Sequence, residues 1–142
     1  MKGSDELDFS WIELPGTGDN LSGFQEFVLE QASLGRMSAG VIQKIELVAE
    51  EILLNIIRHA YGREGRATVR IGCAASGSGS FHIRFMDWGE PFNPLERTDP
   101  DTTLSAEDRQ VGGLGILLIK KMSDHVKYTR QDSTNILDVS FS

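Results

Sequence analysis

Apolar residues recur along the chain at two different spacings, and the change from one to the other divides it into strands and helices. From Leu7 to Leu14 the run LDFSWIEL is short, aromatic and β-branched and stops at Pro15-Gly16, which predicts a first strand closed by a loop. Leu21, Phe24, Phe27, Val28 and Leu34 then follow a helical stripe that Gly35 ends, with Asp19 or Asn20 as its cap. A second helix, capped by Ser38, carries Val41, Ile45, Val48, Ile52 and Ile56 at spacings of three and four and is expected to reach Tyr61. Its broad apolar surface predicts deep packing against a sheet.

Strict alternation follows at Ala67-Val69-Ile71-Cys73 and at Phe81-Ile83-Phe85, joined by SGSGS, which reads as a hairpin. The stretch from Asp87 to Gly115 holds three of the four prolines and two glycine clusters, the signature of a long functional loop. A third helix is expected from Leu114 to Ser123, then strands at His125 to Arg130 and Asn135 to Phe141. This order predicts an α+β fold: a two-layer sandwich whose mostly antiparallel, mixed sheet is covered on one face by helices.

A length of 142 residues predicts a single domain, 1–142, with one core. The net charge of −7 disfavours nucleic acid or an anionic membrane as partner. One cysteine, Cys73, precludes an intramolecular disulfide, and the start MKGSDELDFS lacks a secretory apolar run, so a cytoplasmic location is expected. No apolar stretch approaches the roughly 20 residues that a membrane-spanning helix needs.

Three patches are polar where a core would not be: EEILLNIIRHAY (Glu50 to Tyr61), DWGEPFNP (Asp87 to Pro94) and VGGLGILLIKK (Val111 to Lys121). Glu51 and Asn55 are one helical turn apart, with Arg58 and His59 a further turn on, so one face combines a carboxylate, an amide and a basic group. A solvated stripe with pairs inside the helix has the same pattern. Gly112, Gly113 and Gly115 precede an apolar helix whose first N–H groups can bind phosphate oxygens, although a tight hinge also uses glycine. Asp87, with Gly89 behind it, offers either an acceptor for the exocyclic amine of adenine or an Asx turn. The chain has no P-loop, dinucleotide fingerprint or nucleophile elbow, and His59, His82 and His125 lack zinc-ligand spacing.

Together these patches resemble the ATP-binding fold shared by histidine kinases, DNA gyrase and the bacterial anti-sigma-factor serine/threonine kinases. E-E-x-x-x-N-x-x-x-H-A-Y resembles the family's N box, DWGEPFNP its first glycine box, GGLGILLIKKMSD its second, and STNILDVSF its final strand pair. The likeness extends from about Asp8 to Phe141 and is nearest the small anti-sigma kinases, whose N box also ends in HAY.

The resemblance implies ATP and Mg²⁺ as ligands, with Asn55 on the metal and Glu51 as the base for a partner's serine or threonine hydroxyl. It implies Asp87 on the adenine amine, Gly89 making room for the base, and Gly112, Gly113 and Gly115 closing the triphosphate site. Arg109, in a lid spanning Thr98 to Gln110, would face the γ-phosphate, and Thr134 would back the adenine. Asn93 and Ser133 depart from the usual aspartate and glycine. The implied protein is a kinase that binds a sigma factor and phosphorylates an antagonist protein. The rivals are a nucleotide-gated binding module without catalysis and a detached histidine-kinase catalytic domain. A homodimer is expected, with Phe9, Trp11 or Ile12 contributing from an edge strand.

Overall fold

The computed structural model describes residues 7–60, 68–96 and 113–142. The lid from Thr98 to Gln110, with Arg109, lies outside them, as do Tyr61 and Gly112. Among the described residues five strands form one sheet in the order β1-β2-β3-β5-β4: β1 Ser10–Pro15, β2 Thr68–Ala75, β3 Phe81–Asp87, β4 His125–Gln131 and β5 Thr134–Phe141. All four pairings are antiparallel. The first strand starts three residues later than its sequence pattern suggests and lies at the sheet edge, where Pro15 ends it with little loss of pairing.

Three helices, α1 Leu21–Leu34, α2 Ala39–Asn55 and α3 Gly113–Met122, cover the inner face. Ser38 caps α2 as expected, its Oγ accepting from Val41 N–H at 3.2 Å. Asn20 occupies the cap position of α1 but makes no side-chain cap; its Nδ2 donates to the Pro15 carbonyl at 2.9 Å and to Thr17 Oγ1 at 3.2 Å. Of the expected α1 stripe, Phe24 and Val28 are buried, whereas Leu34 is 69% exposed. The second helix ends at Asn55, earlier than Tyr61, and continues as a π turn over Ile56–Ala60. Such turns interrupt regular α-helix and recur at functional sites.

Period-two alternation directs Val69, Ile71 and Cys73, then Phe81, Ile83 and Phe85, then Leu137, Val139 and Phe141 into the core under α1 and α2. Burying each of the large side chains contributes about 1.5–3 kcal/mol. Burial also pushes the Cys73 thiol up to about 12, which leaves it a small apolar filler without nucleophilic character. Ile12, on the edge strand, is partly buried and packs against this core. No helix among the described residues is long and apolar enough to cross a membrane.

On the outer face Trp11 lies opposite Gly72, and the Arg70 guanidinium stacks 4.2 Å from the centroid of its ring. Phe9 lies 5.5 Å from Trp11, and Arg84 bridges from Phe9 to Asp138, with Nε 2.7 Å from Oδ1. A Cβ at Gly72 would fall 2.6 Å from Cζ3 of Trp11, so the glycine is what allows the ring to lie flat on the sheet. Gly72→Ala is therefore expected to displace the ring, release Arg70 and cost about 1–2 kcal/mol, read as a lower urea midpoint. An unchanged midpoint would show that the ring does not hold β1.

Candidate functional site

The inner faces of β3 and β5 do not stay apolar to their ends. Continuing the alternation past Phe85 gives Asp87, and counting back from Leu137 gives Asn135; the two are opposite each other in the register. Both are 4% exposed, at the end of the core beneath the last turn of α2. There a small cleft, open to solvent, is bounded by Ile52, Asn55 and Ile56 above and by Phe85, Asp87, Asn135 and Leu137 below. Phe92, Pro94 and Tyr128 close its flank. Apolar walls with a few converging polar groups are the usual make-up of a small-molecule site.

Asp87 Oδ1 accepts the Gly89 N–H at 3.1 Å and Asn135 Nδ2 at 2.9 Å. The first bond is an Asx turn, so the local-turn and ligand-acceptor readings of this residue hold together. Both bonds fall on one oxygen, and Oδ2 keeps its acceptor capacity. Burial raises the Asp87 carboxyl above the usual carboxylate range; bonds from Asn135 and Gly89, and the charge of Arg130, offset part of this. Gly89 is held on its other side as well, its carbonyl accepting Arg130 Nη1 at 2.9 Å.

Asn55 is 3% exposed, and neither Oδ1 nor Nδ2 has a hydrogen-bond partner. Leaving a buried polar group unpaired costs about 1–3 kcal/mol, so an amide kept in that state at the rim of a cleft calls for a ligand. Its oxygen is the kind of hard donor that Mg²⁺ takes from protein. Among the described residues no group of three or more His, Cys, Asp or Glu could hold a metal, so a cation here would draw its remaining ligands from a bound anion and water.

Glu51, one turn earlier on α2, is half-buried and lies outside the cleft. It packs against the first turn of α3: a Cβ on Gly115 would fall 2.2 Å from Glu51 Oε2. Gly115 therefore makes room for a carboxylate of this chain. Gly113 begins α3. Thr134 is not in the cleft; its hydroxyl donates to the Asp132 carbonyl at 3.2 Å, in the turn where Asp132 and Ser133 take positive φ. Asn93 Oδ1 accepts Leu95 N–H at 2.9 Å and starts the short 3₁₀ turn Pro94–Glu96.

The expected site residues are thus arranged as a cleft with Asp87 and Asn55 and, next to it, a Glu51–Gly115 contact. Asn135 and Tyr128 belong to the cleft but not to the expected set. Asn135 is recoverable from sequence, because the alternation Leu137, Val139, Phe141 selects it over Thr134 as the inward residue.

The family described as histidine kinase-like ATPase domain matches residues 14–141. The chain is 29% identical over 106 residues to the serine/threonine-protein kinase BtrW of Bordetella bronchiseptica, covering 74% of this chain and 73% of the relative. Among solved structures, the RsbU and RsbW domains of Rv1364c from Mycobacterium tuberculosis align with a TM-score of 0.67 at 12% identity. That alignment covers 94% of this chain but 32% of the other. The histidine kinase domain of the blue-light-activated histidine kinase EL346 from Erythrobacter litoralis aligns at 0.53 and 13% identity, over 90% of this chain and 61% of that one. At these identities the structural likeness concerns the fold. The extent of the family match, over residues 14–141, establishes that the chain belongs to the histidine kinase-like ATPase domain family.

Proposed function

We propose that the protein is an ATP-dependent serine/threonine protein kinase of the anti-sigma-factor type, which binds a sigma factor and phosphorylates an antagonist protein. The observation that carries the nucleotide part of this reading is the unpartnered, buried Asn55 amide beside Asp87 in one cleft. The protein-kinase part is supported by the likeness to BtrW and by Glu51 one turn before Asn55.

In this reading Asp87 Oδ2 accepts the exocyclic amine of adenine, while Ile52, Ile56 and Phe92 bound the base and exclude water from that hydrogen bond. Asn55 would hold Mg²⁺ through Oδ1, and the metal would supply charge to phosphate oxygens. Glu51 accepts the proton of a serine or threonine hydroxyl on the protein substrate. Gly112 and Gly113 would lie at the phosphates, with Arg109 beyond them. Trp11 on edge strand β1 and Phe9 just before it make that side of the sheet the proposed homodimer surface.

The roles separate by substitution. Asn55→Leu removes a buried unpaired amide, so the ligand-free protein should be at least as stable as wild type in thermal melts, while Mg²⁺-dependent ADP binding is lost. A destabilised variant would mean that the amide is already satisfied within the fold. Because the Asp87 carboxyl is raised by burial, ADP affinity should decline on acidification beginning above the ordinary carboxylate range. The sign for stability is opposite. A raised folded-state carboxyl favours the fold below its own pKa and loses that contribution as pH rises, so Asp87→Asn should match or exceed wild-type stability at neutral pH. Calorimetry with ADP from pH 5 to 8 reads the first effect, and a flat profile would remove ionised Asp87 from the site.

Glu51→Gln should keep nucleotide binding and lower phosphotransfer by about 10²-fold or more. Gly115→Ala should do the same with little change in melting temperature, since the added methyl meets only the movable end of Glu51. Wild-type phosphotransfer in both variants would favour the reading in which nucleotide gates partner binding without catalysis.

A further inference from the structure

We propose that Asn135, backed by Tyr128, is the positioning residue that presents Asp87 Oδ2 to the ligand, and that this pair sets the site's preference for a base bearing an exocyclic amine. The inference rests on the reading of the cleft as an adenine-nucleotide site and assigns the source of its selectivity to residues outside the three sequence boxes.

The amide of Asn135 is fully engaged. Nδ2 donates to Asp87 Oδ1 at 2.9 Å and to the Glu90 carbonyl at 2.8 Å. Oδ1 accepts the Tyr128 hydroxyl and, at 3.4 Å, the Phe92 N–H. Its orientation is dictated by chemistry: flipped, it would set an NH₂ against two donors and an oxygen against a carbonyl and a carboxylate. A carboxamide suits this position because it donates twice and accepts twice, which a single hydroxyl does not. Four segments converge on it: the end of β3, the loop through Glu90 and Phe92, β4 through Tyr128, and β5 itself.

The consequence for recognition follows from which carboxylate oxygen is occupied. Oδ1 is saturated by Asn135 and Gly89, so the acceptor left to a base is Oδ2, in a direction fixed by the bond to Nδ2. Tyr128 does not touch Asp87 in this network; it restrains the rotation of the Asn135 amide. Removing its hydroxyl should loosen the aim of the carboxylate without removing the carboxylate. The charged neighbour acting on Asp87 is Arg130, from β4, while α2 contributes the neutral Asn55, Ile52 and Ile56 to the same cleft. Neither Asn135→Leu nor Tyr128→Phe alters this charge balance.

The test is a ratio of affinities. Dissociation constants for ADP and for purine riboside diphosphate, which lacks the amine, are measured with excess Mg²⁺ for the wild type, Tyr128→Phe and Asn135→Leu. Wild type should prefer ADP by about tenfold or more, as expected for one hydrogen bond to a charged acceptor. Tyr128→Phe, which keeps the ring that lines the cleft, should reduce that preference severalfold, and Asn135→Leu should bring the ratio close to one. A role confined to general stability would weaken both ligands together and leave the ratio at its wild-type value, which would overturn the proposal. If Asn135→Leu does not fold, Tyr128→Phe alone decides it. Absence of ADP binding to the wild type would overturn the nucleotide reading and this inference with it, a result distinct from binding with an unmoved ratio.

Discussion

The hydrogen bond from Asn135 Nδ2 to Asp87 Oδ1 joins two strands at the point where the protein's core gives way to its cleft. Three rows of apolar side chains on β3 and β5 pack under α2, and the fourth row is this polar pair. A carboxylate buried to this degree is unfavourable without partners, and the structure supplies them from β5, from the following loop and from Arg130. The same bonds draw the loop after Asp87 down onto the sheet, with Phe92 and Pro94 placed as the flank of the cleft. Stability and site geometry therefore share one set of contacts. Among the described residues that line the cleft, Asn55 is the one whose buried side-chain polar atoms lack a partner.

Asn55 and Glu51 show how one helix face divides its work. The first sits where α2 gives way to the π turn and directs an unpartnered amide to the cleft; the second lies against α3 through the room left at Gly115. A single turn separates them in sequence, yet they contact different parts of the fold. Under the proposed kinase reading, holding the metal and accepting the hydroxyl proton would be distinct tasks performed next to the same phosphoryl group.

Much of this was legible in the sequence. Alternation located β2 and β3 closely because each sends every second residue into the core, and the 3.6-residue period located α1 and α2 for the same reason. Boundaries were less legible. The π turn after Asn55 follows from no local signal in IIRHAY, and β1 begins at Ser10 although the apolar pattern already starts at Leu7. At the site, Glu51, Asn55, Asp87 and Gly115 stood out by residue type and spacing. Asn135 did not, because the family likeness points to its neighbour Thr134, although a count by twos from Phe141 assigns the inward position to Asn135. Tyr128 could not be found that way. It is brought to Asn135 by the β4–β5 hairpin, where its register partner is Leu137, and only the folded pairing shows the contact.

The central claim is that the buried amide of Asn55 is kept for a metal-bound nucleotide. Side-chain amide resonances report on it directly: in two-dimensional ¹⁵N–¹H spectra, ADP with EDTA and ADP with Mg²⁺ are added in turn to the full chain. The account predicts that the Asn135 resonances shift with nucleotide alone, through Asp87, and that the Asn55 resonances shift further only when Mg²⁺ is present. Saturating Mg-ADP that left the Asn55 amide at its ligand-free position would contradict the account.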